Sequence, residues 1–146
     1  MYFVDVEKIE ARLDYLDAHV KLFSQHEGWD SFFELKALER LCQMMIETIL
    51  DVGNAMIDGF IMRDPGSYED IIDILLDEQV IQQKDADGLK ELIHFRKSLV
   101  QEYLNVEHRK LISVFTLNLP ILQHFSNNIR TYINNELGPV SAFKPL

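Results

Sequence analysis

The run DSFFELKALERLCQMMIETILDVGNAMIDGFI, residues 30–61, decides the fold. Within it Leu38, Leu41, Met45, Ile49, Val52, Met56 and Phe60 recur every three or four residues, which is the period of one helix face. Asp30 or Ser31 can cap its start, because a short side-chain oxygen accepts from the unpaired amides of a first turn. The spacing predicts one helix from there to about Ile61, long for a chain of 146 residues. Gly53 in its interior costs roughly 1 kcal/mol relative to alanine, so it predicts a close helix crossing or a bend.

Working outward, the same period recurs on both sides. Upstream, Ile9, Leu13, Leu16, Val20 and Phe23 mark a first helix, ended at His26-Glu27-Gly28. Downstream, Arg63-Asp64-Pro65-Gly66 is a loop, with both strong breakers side by side. Ser67 with Asp70 three residues on resembles a capping box, and Ile71, Ile72, Leu75 and Leu76 face inward from the short helix it opens. A fourth helix is expected from about Asp85 to Tyr103, carrying Leu89, Leu92, Ile93, Leu99 and Val100. A last one is expected from about Glu107 to Glu136, kinked or split by Pro120, which lacks the N–H its turn requires. Gly138-Pro139 ends it, and Phe143 in the tail is expected to dock on the body. No alternating strand pattern and no repeat occur. The expectation is an all-α, up-down bundle of about five helices, two of them long, in one domain spanning residues 1–146. Two long apolar helices leave more apolar surface than so small a core covers, so a homodimer is expected.

Composition narrows the function classes. Hydrophobic residues make up 47% and charged residues 26%, the balance of a folded globular protein. A formal charge of −10 argues against a general nucleic-acid coat protein, whose phosphate contacts need lysine and arginine, but leaves room for a small basic cleft. From Lys84 to Lys110 there are six Lys or Arg and five acids, the least acidic stretch of the chain. From Asp64 to Val80 there are six acids and no Lys or Arg, read as a solvated face. The one cysteine, Cys42, is expected to be a buried thiol. The N-terminal residues lack the charge and apolar run of a signal peptide, and no apolar run approaches the length of a membrane span, so the expected address is the cytoplasm. There is no phosphate-binding glycine loop, no paired-cysteine motif, no zinc-protease motif and no nucleophile elbow. The histidines are scattered, with His19, His26 and His124 expected on helix surfaces; no metal site and no cofactor are expected.

The segment His94-Phe95-Arg96-Lys97-Ser98-Leu99-Val100-Gln101-Glu102-Tyr103-Leu104 carries a resemblance. It is similar to the motif of HepT-type proteins of the HEPN superfamily: an arginine, four to six residues, a histidine, any residue and a tyrosine. Arg96, Leu99-Val100 and Tyr103 fall in place, while Gln101 stands where the family has its histidine. Glu39-Arg40 through Ile46-Glu47, Asp51 and Gly53-Asn54 looks like the family's long second helix. Ser67-Tyr68 then opens the next helix in the same order, and the closing run from Glu136 to Lys144 resembles a Firmicutes branch of HepT-like proteins. The resemblance spans nearly the whole chain.

It implies a cytosolic helical dimer that cleaves RNA in a cleft at its two-fold axis, possible as the toxin of a toxin–antitoxin pair. The implied partners are a second copy, RNA, and an MntA-type nucleotidyltransferase that adds AMP to the motif tyrosine. Carried over by position, Arg96 would hold the scissile phosphate, Gln101 would occupy the histidine's place, and Tyr103 would line the cleft or accept AMP. Glu47 and Asp51, four residues apart on one helix face, are candidates to line that cleft and orient Arg96. Glutamine donates and accepts hydrogen bonds but does not titrate, so it cannot act as general base. His94, seven residues earlier, is the candidate to enter the cleft, and His108 the candidate to fold back toward it. If the helix is continuous, Arg96 and Tyr103 share a face. The alternatives stay open: Arg96 as the ion-pair partner of Glu91, Glu47 or Asp51, Tyr103 as ordinary packing, and the whole chain as a non-catalytic dimer binding a nucleotide, RNA or a protein, or as a structural adaptor.

Overall fold

A computed structural model describes residues 2–138, all of them helix, turn or connecting loop, with no strand among them. The helices are α1 (Val6–Gln25), α2 (Phe32–Gly59), α3 (Tyr68–Asp77), α4 (Gln83–Ile93), α5 (Arg96–Val100), α6 (His108–Leu117) and α7 (Leu119–Leu137), with one 3-10 turn at Tyr103–Asn105. The all-α reading holds, and α2 is the long helix at its centre. The expected docking of Phe143 and the stop at Pro139 lie outside the described residues.

Helix starts follow their side chains. Ser31 completes a full capping box on α2: its Oγ accepts from the Glu34 amide at 3.1 Å, and Glu34 Oε1 accepts from the Ser31 amide at 3.0 Å. Ser67 accepts from the Asp70 amide at 3.1 Å, but Asp70 does not return the bond. Its carboxylate instead accepts from Arg63 at 2.7 and 2.9 Å and from the Gly66 amide at 2.8 Å. The aspartate side chain thus closes the Arg63–Gly66 loop onto α3.

Burial matches the predicted faces. Ile9, Leu13 and Leu16 of α1 are sealed against Leu38, Met45, Ile49, Val52 and Met56 of α2, and Cys42 is sealed with them. Burial pushes the Cys42 thiol far above its ordinary pKa, so it stays protonated. α2 also packs on α3, which packs on α4, while α7 lies across α1 and α4. Gly53 is the crossing point of α2 and α3: a Cβ there would collide with the Ile71 side chain.

Among the described residues seven helices stand where about five were expected, because two expected helices are each divided. The stretch from Asp85 to Tyr103 does not run through. The Phe95 amide donates to the Leu92 carbonyl at 3.1 Å, a tightened turn that drops the helical register just before Arg96. A second irregularity, with Gln101 at φ −105° and Glu102 at φ −101°, ψ 42°, separates α5 from the 3-10 turn. The last expected helix is split at Pro120, which sits in the first turn of α7, where its missing N–H leaves no bond unmade. Buried Asn118 bridges the break, donating from Nδ2 to the Val114 carbonyl at 3.0 Å.

Candidate functional site

Arg96 opens α5 and meets α2 in the middle of its length. Its Nε donates to Glu47 Oε1 at 2.6 Å, with 21% of the arginine side chain and 25% of the glutamate side chain exposed. That bond takes one of the five N–H donors a guanidinium carries. The guanidinium carbon also lies 4.3 Å from the ring centroid of Tyr68, a cation–π distance. Arg96 is therefore braced by a carboxylate and by an aromatic ring from different helices.

Tyr68 owes its place to the loop before it. Ser67 caps α3, so Tyr68 is the first residue of that helix, and the Arg63–Asp70 fork fixes the turn that delivers it. These bonds from Arg63, with help from the Gly66 amide, hold the Asp70 carboxyl down to about 2.

Tyr68, His94, Arg96, Lys97 and Gln101 line one groove of about 390 Å³. His94 ends α4 and Gln101 ends α5, so the two helix termini flank the arginine. Arg96 and Lys97 line the groove beside Glu69, and Glu47 is paired with Arg96, so two cations stand among two carboxylates there. Of the residues singled out from the sequence, Glu47, His94, Arg96 and Gln101 thus come together. Asp51 is exposed one turn beyond Glu47. Tyr103 is not among the groove's lining residues and is 61% exposed. The shared face expected for Arg96 and Tyr103 needs a continuous helix, and the break after Val100 removes it. His108 folds back onto α2, but its Nε2 sits 2.8 Å from Glu39 Oε2, away from the Arg96 groove. Sequence reasoning missed Tyr68 as a site residue. Its only trace was an aromatic placed directly after a capping serine. Among the described residues no three His, Cys, Asp or Glu side chains are gathered as metal ligands.

A bundle with one dominant central helix, on which a braced arginine borders a small groove, defines an all-α helical-bundle protein. The ribonuclease HepT-like family model matches residues 9–129, and the chain belongs to that family. It is 51% identical over 144 residues to YutE of Bacillus subtilis (strain 168), a protein named as a candidate RNase, covering 99% of this chain and 100% of that one. The solved structure of YutE, described as a cytosolic protein of unknown function, superposes with a TM-score of 0.95 at 50% identity, over 98% of this chain and 100% of YutE. More distantly, a tri-AMPylated Shewanella oneidensis HEPN toxin in complex with MNT antitoxin shares the fold, with a TM-score of 0.71 at 19% identity, over 86% of this chain and 96% of that one. No helix of the described residues is long and apolar enough to cross a membrane.

Proposed function

We propose that the chain is a single-domain, metal-independent ribonuclease in which Arg96 holds the scissile phosphate and His94 supplies the proton-accepting group that Gln101 cannot. The observation that carries this reading is the convergence of His94, Arg96 and Gln101 on one groove. With Nε engaged by Glu47, the remaining guanidinium donors are the ones offered to phosphate oxygens. Cleavage then follows internal transesterification. The 2′-oxygen attacks the adjacent phosphorus as its proton passes to His94, the bond to the 5′-oxygen breaks, and that oxygen takes up a proton from solvent water, to which His94 then returns the proton it accepted. The products are a 2′,3′-cyclic phosphate and a 5′-hydroxyl. Gln101 contributes hydrogen bonds to the charged oxygens. An imidazole ring nitrogen can accept a proton and release it again, which a carboxamide cannot do.

Incubating the purified protein with cellular RNA tests the reading. His94→Ala is expected to slow cleavage about 10²- to 10⁴-fold, and Arg96→Ala to slow it about 10²-fold or more. Absence of cleavage by the unaltered protein, or equal cleavage by Arg96→Ala, overturns it. Gln101 itself favours a second reading, a non-catalytic dimer that retains the groove for binding. Under that reading Gln101→His creates or raises activity by about 10²-fold. A robust activity that Gln101→His leaves unchanged eliminates it.

The proposed working form is a homodimer in the cytoplasm, the compartment in which YutE is described. Leu104, 86% exposed just beyond Gln101, supplies apolar surface for a second copy to cover. Light scattering should return twice the 17.1 kDa chain mass. A partner of MntA type is proposed as well, with the exposed Tyr103 phenol as AMP acceptor. A mass increase of one AMP on Tyr103 after co-expression would support it, and an unmodified Tyr103 would refute it.

A further inference from the structure

The groove at Arg96 is one end of a longer furrow. His94 and Lys97 line both that groove and a second hollow of about 350 Å³. Glu107 and Lys110 in turn line both the second hollow and a third, of about 800 Å³, that ends at Trp29.

Trp29 is the single tryptophan of the chain, and it is only partly buried. Its ring is nonetheless fixed. It stacks on Phe23 at an interplanar angle of 18°, with centroids 6.0 Å apart, and the His26 ring lies 4.1 Å away. Gly28 takes φ +74°, which lets the chain reverse immediately before the indole. His26 is tied 2.6 Å from Glu34, the capping acid of α2, so the loop is anchored at its near end. Held by these two rings, the indole still lines the hollow and is partly exposed, and the surface it leaves open there is one on which a nucleobase can stack. Arg109 and Lys110 line the same hollow and offer cations for the neighbouring phosphates.

Charge restricts the strand that fits. Across the three hollows Arg96, Lys97, Arg109 and Lys110 are matched by Asp30, Glu69, Glu102 and Glu107. The furrow is thus neutral on a chain of net charge −10, and long-range attraction for a polyanion is weak. Stacking has to contribute, and duplex bases, already stacked on one another, cannot supply it.

We infer that Trp29 with Arg109 and Lys110 forms a second subsite, which stacks an unpaired base of a single-stranded RNA whose scissile phosphate lies at Arg96. The assignment of the scissile phosphate rests on the ribonuclease reading, whereas the Trp29 subsite does not. Because Trp29 is the only tryptophan, its emission reports occupancy directly. A single-stranded RNA of about ten nucleotides should quench it saturably. The same RNA annealed to its complement should bind about tenfold more weakly or worse. With labelled RNA followed by anisotropy, Trp29→Leu should weaken binding about tenfold and Trp29→Phe less than about threefold, since phenylalanine still stacks. Arg109 and Lys110 are exposed, so Arg109→Ala/Lys110→Ala leaves the fold intact and should weaken binding about tenfold. Unchanged emission at saturating RNA, equal affinity for duplex, or full affinity in the double variant would overturn the subsite. Quenching that persists without any cleavage defeats the ribonuclease reading and keeps the subsite. Cleavage with unquenched Trp29 does the reverse.

Discussion

Replacing Glu47 by alanine should damage both the stability of the bundle and its chemistry. The carboxylate accepts from Arg96 Nε at 2.6 Å, and roughly three-quarters of each side chain is out of solvent. Fully exposed pairs contribute about 0–1 kcal/mol, while breaking a fully buried one costs about 3–5 kcal/mol. An intermediate site with a charge-assisted hydrogen bond falls at about 2 kcal/mol. For a chain of 146 residues the unfolding entropy is about 0.3 kcal/mol/K near the midpoint, so the melting temperature should fall by about 6 °C. Glu47→Ala, Arg96→Ala and the double variant form a cycle, read by thermal unfolding, with an expected coupling of about 1–2 kcal/mol. The cleavage rate should fall as well, by about 10²-fold, because the guanidinium loses the contact that sets its position. A melting temperature within about 1 °C of the unaltered protein, together with additive single losses, would refute the claim that Glu47 positions Arg96.

Two further expectations are independent of catalysis. Gly53→Ala gains about 1 kcal/mol of helix propensity but drives a methyl into Ile71 at the α2–α3 crossing, an overpacking of about 1–3 kcal/mol. The net should be a loss of up to about 2 kcal/mol in urea unfolding, and a more stable variant would refute the close crossing. In acid, Glu34 is held at about 2 by the Ser31 amide first and His26 next, and Asp70 at about 2 by Arg63 first. Lowered carboxyl pKa values stabilise the fold above the unfolded values near 4 and lose that contribution as pH falls toward 2. Circular dichroism across pH 5 to 2 should show declining stability, shallower in Glu34→Gln, and an identical slope in that variant would refute the role of the capping acid.

The helix faces were readable because burial repeats with the helical period. Ile9 to Phe23 and Leu38 to Phe60 carry that period without interruption, and the structure buries nearly all of them. Ser31 and Pro120 were readable for local reasons, a cap and a missing donor. The break around Phe95 was not, because Leu92, Ile93 and Leu99 keep an apolar rhythm across a turn that tightens by one hydrogen bond. That tightening accompanies packing of the Phe95 ring toward Phe115, a contact between residues twenty apart that local spacing does not encode. The arginine was identifiable from its motif, and Glu47 from its helix face. Tyr68 and Trp29 were not, since an aromatic ring beside a turn has no periodic signature. Their placement depends on where Arg63, Asp70 and Glu34 hold the loops.

Three acids along α2 each grip a different later or earlier part of the chain: Glu34 takes His26, Glu39 takes His108, and Glu47 takes Arg96. At 1.5 Å of rise per residue, the anchors for His108 and Arg96 are spaced about 12 Å apart on a single rod. The spacing between the Arg96 groove and the His108 wall of the third hollow is thereby written into one helix rather than into the connections that cross it. Changes in the connections that leave Arg63 and Tyr103 in place would lengthen or trim a strap without altering the ruler. Relatives whose connections differ in length can therefore preserve the spacing of these anchors.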